Sequence, residues 1–197
     1  MSLSSGRRFV VLVAVTLAAL LGAWQSVAAV EPIHATTGVV KKIDTHAKTI
    51  AVETADGTVH VFKYTERTTV EGLRDVAAGT RKGTLDAYHG TLEGSHAVVR
   101  YTEKGGEDTA VGVKDVGKGT VKAADGTIDR VDKTGRTLTV KTKDGTEETY
   151  DVSKDASIDT ARGVVNSAKW TYKKGDKVTV HYTEEAGKKV AYFIHHL

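Results

Sequence analysis

The chain has 197 residues, of which 40% are hydrophobic and 27% charged, with 20 glycines, one proline and no cysteine. This composition is typical of a globular protein with one or two small domains, and it excludes disulfides, thiolate metal sites and cysteine nucleophiles. Two of the basic residues, Arg7 and Arg8, lie in a segment that we expect to be removed. The remainder has 26 basic and 25 acidic residues, a net charge of +1, with the two signs interspersed. Nucleic-acid binding is disfavoured because it needs a concentrated basic face.

Residues 1–29 have the pattern of a secretory signal peptide. Two adjacent arginines supply the basic start, residues 9–21 form a largely apolar run, and small residues precede Ala28. The apolar run is short compared with the roughly 20 residues that a membrane-spanning helix needs. We therefore expect cleavage after Ala28 or Ala29 and a periplasmic or secreted protein without a later membrane span; a retained anchor is the alternative.

The rest of the chain repeats itself. Residues 38–64 and 126–152 align without a gap and are identical at eight of 27 positions. The identical pairs are Gly38/Gly126, Asp44/Asp132, Thr49/Thr137, Val52/Val140, Thr54/Thr142, Asp56/Asp144, Gly57/Gly145 and Thr58/Thr146. This repetition predicts two tandem domains. Their expected bounds are 36–115 for the first repeat, 116–125 for a linker and 126–197 for the second repeat.

The first repeat opens with three predicted strands. Runs rich in β-branched residues place them near 38–44, 47–54 and 58–64. Turn residues separate the strands at Thr45-His46 and at 55–57. The apolar positions of the first strand, Val40 and Ile43 in this repeat, are three apart rather than two. A β-bulge near Lys41 and Lys42 would return both side chains to one face.

The second turn sets the strand register. If Ile50 and Phe62 share the apolar face, the loop between their strands must hold three residues, because a two-residue loop puts the ring on the wrong side. Three-residue hairpin loops combine a type I turn with a left-handed residue, usually glycine. The sequence therefore predicts a left-handed conformation at Gly57 and at Gly145 of the second repeat.

A variable connection and two further strands complete each repeat. The connection of the first repeat runs over 65–93, and one helical turn is predicted at 70–76. Five strands with alternating faces close most economically as a small antiparallel barrel, whereas an open sheet would expose long edges. The sequence thus predicts an all-β protein with two tandem five-stranded barrels after the signal peptide. One β-sandwich built jointly by both repeats is the alternative.

Several short motifs resemble those of bacterial secreted OB-like domains of unknown function. The motifs in the second repeat are Gly126-Thr-Ile, Thr137-Leu-Thr-Val140, Asp144-Gly-Thr146 and Gly175-Asp-Lys-Val-Thr-Val180 followed by Tyr182. The first repeat departs from the pattern at Ser95, Ala97 and Val98. The resemblance implies an OB-like fold and a periplasmic setting, and it implies no catalytic residues.

Four residues are candidates for a ligand-binding surface. The register places His60 of the first repeat on the inward face, with Glu148 as its counterpart in the second, and polar groups there indicate the barrel rim. Trp170 and Tyr172 share one face if their segment is extended, where they could stack on sugars or bases; core closure is the alternative. The repeated Asp44 precedes a turn and is interpreted as a turn cap.

These observations favour an exported binding or interaction module without enzymatic activity, cofactor or metal site. The face over strands two and three and the variable connections would contact an envelope protein or small ligand. One alternative is a carrier of a small ligand, zinc or copper through surface histidines. A further alternative is oligosaccharide or oligonucleotide binding on the barrel face.

Overall fold

The computed structural model of the protein describes residues 31–75, 79–134, 136–167, 169 and 173–197. The predicted signal peptide, Trp170 and Tyr172 lie outside these residues. The elements of the first repeat are β1 (His34–Asp44), β2 (Thr49–Glu53), β3 (Val59–Asp75), β4 (Gly79–Thr84), α1 (Leu85–Leu92), β5 (His96–Lys104) and β6 (Glu107–Gly117). Those of the second are β7 (Val121–Asp132), β8 (Thr137–Thr142), β9 (Glu147–Thr160), β10 (Gly163–Asn166), β11 (Lys177–Glu185) and β12 (Lys188–His196).

The strands of the first repeat form a closed barrel, here called barrel 1. Strand β1 pairs with β2 and β5, β2 pairs with β3, and β5 pairs with β6. The barrel closes through β3 and β6, which run parallel, while the other pairs are antiparallel. Strand β4 lies outside the closed barrel as a hairpin partner of β3. Three strands, a connection and two strands therefore close in the OB-like manner that the sequence predicts.

The second repeat forms barrel 2 from β7, β8, β9, β11 and β12 by the same pairings. Its closing pair, β9 with β12, is again parallel. Strand β10 pairs antiparallel with β9, as β4 does with β3 in barrel 1. The prediction of two tandem all-β barrels is confirmed, and the alternative of one joint β-sandwich is wrong.

The predicted turn register is also confirmed. Ile50 pairs with Phe62, and the equivalent leucine and tyrosine of barrel 2 pair in the same way. Gly57 has φ of 81° and Gly145 has φ of 89°. The amide of Gly57 donates to the carbonyl of Thr54 at 2.9 Å, which closes the turn. Because side chains at such φ values are strained, glycine is required at this position in both repeats.

The predicted bulge occurs in both barrels. The β1–β2 register shifts between Val40 and Lys42, and the β7–β8 register shifts at the equivalent place. The same pair of strands explains another repeated residue. A Cβ on Gly38 would lie 2.3 Å from the carbonyl oxygen of Glu53, and a Cβ on Gly126 would lie 2.5 Å from that of Lys141. Glycine is therefore needed where the backbones approach closely.

The connection of the first repeat differs from the prediction. Residues 70–75 belong to β3, so the predicted helical turn is wrong, and the helix of this connection is α1 instead. The hydroxyl of Thr68 donates to the carbonyl of Ala110 at 2.6 Å where the β3–β6 register shifts, and Val70 is buried in the core beyond it. Beyond this register shift, β3 continues to pair with β6. Residues 116–125, predicted as the linker, include the end of β6 and the start of β7.

Three hydrophobic clusters are found among the residues that the structure describes. One fills each barrel. The third joins the outer sides of the barrels through Ala35 and Val98 of barrel 1 and Tyr192 and Phe193 of barrel 2. Apolar burial contributes about 25 cal/mol per Å², so this shared cluster stabilises the association of the two barrels.

Candidate functional site

The outer face of the β2–β3 hairpin in barrel 1 exposes apolar side chains. Phe62 is buried in the barrel, so its strand neighbour Val61 points outward. Val61 is 57% exposed and Val59 is 52% exposed. Val61 pairs with Ala51 of β2, which extends the apolar area across the hairpin. We call Ala51, Val59 and Val61 the valine face.

Barrel 2 carries polar residues at the same positions. The repeat alignment matches Val59 with Glu147 and Val61 with Thr149, and both of these residues are exposed. The valine face is therefore not required by the barrel fold, since the second copy folds without it. An exposed apolar group that the fold does not need is a candidate contact surface.

Ion pairs lie beside the valine face. The ammonium of Lys63 lies 2.6 Å from the carboxylate of Glu107, and that of Lys41 lies 2.7 Å from the carboxylate of Glu53. These side chains are substantially exposed, so such pairs contribute little to stability. The cations of Lys63 and Lys41 are each paired with a carboxylate, so this surface combines apolar contact area with paired cations.

His60 lies on the same strand but on its other side, at the mouth of barrel 1. It pairs with Val52 in the predicted register and is exposed. Its ring stacks on Phe62, with centroids 6.3 Å apart and planes inclined by 20°. Phe62 in turn contacts Tyr101 at a centroid distance of 5.0 Å. The imidazole thus covers an aromatic pair at the end of the barrel core.

Glu148, the counterpart of His60, is held at the mouth of barrel 2. One of its oxygens lies 2.6 Å from the ammonium of Lys189, and the other accepts a hydrogen bond from the hydroxyl of Tyr150. The Lys189 ammonium also lies 5.7 Å from the ring centroid of Tyr150 and 5.4 Å from that of Tyr182. The hydrogen bonds from Lys189 and Tyr150 lower the pKa of Glu148. Both oxygens of Glu148 are therefore already bound by Lys189 and Tyr150. The contacts of the Lys189 ammonium with the two tyrosine rings add to the stability of this end of barrel 2.

The repeated aspartates are turn caps, as predicted. The Oδ1 atom of Asp44 accepts hydrogen bonds from the amides of His46 and Ala47 at 3.0 and 2.8 Å, and the bond from Ala47 contributes most to lowering its pKa. Asp132 accepts from the amide of Thr134 at 2.9 Å. Within the described residues, no three histidine, aspartate or glutamate side chains are grouped so that they could hold a metal ion.

A cleft between the barrels brings together two histidines that the sequence did not single out as a pair. It has a volume of about 170 Å³ and is lined by His96 of barrel 1 and His181 of barrel 2, with Thr37 and Val121 among the other residues. Burial lowers the pKa of both imidazoles, that of His181 to about 4. Both side chains are therefore neutral at pH 7. Residues 94–103 align with residues 175–184, which matches His96 with Lys177 and His181 with Arg100. The sequence signal at both positions is thus a difference between the two copies.

The comparisons with known proteins give no family for the chain. No family model matches it, and no curated protein matches it. Among solved structures, the crystal structure of Ag(I)CusF is similar with 13% identity and a TM-score of 0.30, over 38% of this chain and 95% of that one. Apo-CusF from Escherichia coli is similar with 13% identity and a TM-score of 0.30, over 38% of this chain and 84% of that one. In the described part of the chain, no helix has the length and apolar character to cross a membrane.

Proposed function

We propose that the protein is an exported, non-catalytic binding module of the cell envelope and that the valine face of barrel 1 contacts its protein partner. The observation that supports this proposal is the exposure of Val59 and Val61 where barrel 2 has Glu147 and Thr149. The two barrels have the same strand pairings, so the second copy serves as an internal reference for what the fold requires. The exposed valines are therefore a feature of barrel 1 that the barrel fold itself does not require.

The surroundings of the valine face define the chemistry of the partner. Since Lys63 and Lys41 are paired with carboxylates, the surface does not offer the unpaired cations that a polyanion needs. An apolar patch of another protein, bordered by polar groups, matches it best. Interfaces of this kind have an apolar centre and a polar rim.

Cross-linking in the periplasm of a producing bacterium tests the site. A photoreactive amino acid at position 61 should give one discrete adduct, whereas the same amino acid at position 149 is the matched control on barrel 2. The adduct is then identified by mass spectrometry. Equal labelling from the two positions, or no adduct from position 61, would contradict the proposal.

The identified partner allows a quantitative test. The double variant V59E/V61T transfers the residues of barrel 2 onto barrel 1. Each valine is already about half covered, so completing its burial should contribute about 1 kcal/mol. Loss of both contacts should weaken binding about 30-fold, measured by calorimetry. E147V/T149V is the reciprocal control and should leave the affinity unchanged.

The other candidate functions have separate tests. A metal carrier using His60 predicts calorimetric binding of zinc or copper tighter than about micromolar, lost in H60Q. Oligosaccharide or oligonucleotide binding predicts quenching of Trp170 fluorescence when the ligand is added. Export itself predicts a mature N-terminus close to residue 29 or 30, read by N-terminal sequencing of the periplasmic protein.

A further inference from the structure

A second cleft lies where the outer face of barrel 1 meets strands β9 and β10 of barrel 2. Its volume is about 200 Å³. Barrel 1 contributes the charged residues Glu71, Arg100 and Lys114, and barrel 2 contributes Asp155 and the apolar residues Val164 and Val165. We call these six residues the charged cleft. It combines two cations, two carboxylates and an apolar wall.

The guanidinium of Arg100 lies across β6 at a position that has no side chain. Arg100 pairs with Gly112, and a Cβ on Gly112 would lie 2.5 Å from the Nη2 atom of the guanidinium. The carboxylate of Glu71 lies 3.7 Å from the same nitrogen, which is too long for a hydrogen bond. A guanidinium presents its N–H donors in a planar fork that fits a carboxylate through two parallel hydrogen bonds. Gly112 thus gives Arg100 the room to offer this fork to the cleft.

Lys114 connects the two barrels beside Arg100. Its ammonium lies 2.9 Å from the carboxylate of Asp155 and donates a hydrogen bond to the carbonyl of Asp155 at 3.2 Å. The side chain of Lys114 is only 13% exposed, whereas that of Asp155 is 61% exposed. The Asp155 carboxylate is therefore fixed by a nearly buried cation and remains accessible to a second cation from the cleft.

The equivalent positions of barrel 2 carry different side chains. The strand pairings match Arg100 and Gly112 with His181 and Phe193, whose rings contact each other at a centroid distance of 5.4 Å. Phe193 belongs to the third hydrophobic cluster. A large ring in barrel 2 thus takes the place of the space beside Gly112 in barrel 1.

The acidic position is closed in barrel 2 as well. The pairings match Glu71 and Lys114 with Asp159 and His195. Asp159 is only 6% exposed, and the Nδ1 atoms of His34 and His195 lie 3.6 and 3.4 Å from its two oxygens. Barrel 1 therefore covers this carboxylate with His34. The barrel fold does not require an open, charged cleft at these positions, since the second copy folds without one.

We propose that the charged cleft binds a free α-amino acid with an apolar side chain. The ligand carboxylate pairs with the guanidinium of Arg100, the ligand ammonium pairs with the accessible carboxylate of Asp155, and the ligand side chain packs against the apolar wall at Val164 and Val165. Such a ligand satisfies both signs of charge at once, because an ion taken from water needs an opposite charge and hydrogen bonds in its new site.

Size and charge exclude other ligand classes. One water occupies about 30 Å³ in the liquid, so the cleft has the volume of about seven waters, which is room for a branched amino acid such as leucine. The two cations and two carboxylates of the cleft have no net charge. A polyanion is therefore disfavoured, because it needs an excess of cations.

Calorimetry with the full exported protein tests the ligand class. L-Leucine should bind with one ligand per chain and a Kd below about 1 mM. The analogue 4-methylpentanoate lacks the ammonium, and 3-methylbutylamine lacks the carboxylate. Each analogue should bind at least about ten-fold more weakly than L-leucine, because one charge-assisted contact is lost. No binding of L-leucine, or binding of either analogue within ten-fold of it, would overturn the proposal.

Variants assign the binding to Arg100. R100Q removes the cation and should abolish binding of L-leucine. G112A keeps every charge but displaces the flexible end of Arg100, so it should weaken binding about ten-fold or more. R130Q is the matched control, because Arg130 is an exposed arginine of β7 outside the cleft, and it should bind like the unmodified protein. Unchanged affinity in R100Q or G112A, or an equal loss in R130Q, would contradict the site; circular dichroism verifies the fold of each variant.

Discussion

His181 makes a quantitative prediction about acid stability. Burial between the barrels lowers its pKa to about 4, whereas the unfolded chain binds the same proton with a pKa of about 6.5. The unfolded state therefore binds more protons between these values, and the free energy of unfolding falls as the pH is lowered through this window. A difference of about 2.5 pKa units corresponds to about 3 kcal/mol.

The variant H181Q removes this titration while keeping a polar side chain of similar size. Urea unfolding followed by circular dichroism at about pH 7 and pH 4 gives two free energies for each protein. The unmodified protein should lose about 3 kcal/mol more than H181Q between the two pH values, after any constant cost of the substitution is subtracted. H46Q, in an exposed turn of barrel 1, is the matched control and should follow the unmodified protein.

The outcome of this comparison is decisive for the inter-barrel cleft. If H181Q loses as much stability on acidification as the unmodified protein, His181 is not held neutral by burial. The cleft as described would then be wrong, because an open cleft would leave the imidazole hydrated with an ordinary pKa.

Three further predictions concern the repeated residues. G126A should lower the free energy of unfolding by about 2 kcal/mol or more, because its Cβ would meet the Lys141 carbonyl; unchanged urea unfolding would contradict the close approach. G145V should cost on the order of 1–2 kcal/mol or more through strain at positive φ, and G119V, in the linking segment between the barrels, is its control. Hydrogen bonds from Thr54 and Thr58 lower the pKa of Asp56 to about 2. The stability that Asp56 contributes is thus present above about pH 3.8 and lost as pH falls through about 2, so D56N should melt below the unmodified protein at neutral pH and converge with it in acid.

The sequence predicts the barrels well because seven of the eight identities have structural roles and the eighth, Thr49, lies within a paired strand. Gly38 allows the close approach of β1 and β2, and Asp44 caps a turn. Thr54, Asp56, Gly57 and Thr58 build one hydrogen-bonded hairpin turn. Val52 fills the core, and Thr49 lies on β2, opposite Asp44 of β1. The positions that are identical in the two repeats are thus mainly those that the shared barrel fold requires.

The same logic explains what the sequence did not predict. The inter-barrel cluster uses outward positions, such as Val98 and Phe193, whose contacts differ between the copies because each barrel presents a different side to the junction. Period-two patterns place these residues on a solvent face. The extension of β3 was missed because its register break near Thr68 interrupts the alternation. The location of His60 on the Val52 side of β3 did follow from the register, since pairing alone determines it.

The contact of His34 and His195 with one carboxylate has a consequence for how the chain is threaded. Residue 34 begins the first strand that the structure describes and residue 195 lies near the end of the last such strand, yet both lie within 3.6 Å of Asp159. The two ends of the described part of the chain, near residues 34 and 195, are therefore neighbours. A short peptide joining 197 to 31 should permit a circular permutant that opens within 118–120. In such a permutant the covalent connection between the barrels would run through the peptide that joins residues 197 and 31 instead of through residues 118–120. The contacts between the two barrels would stay the same.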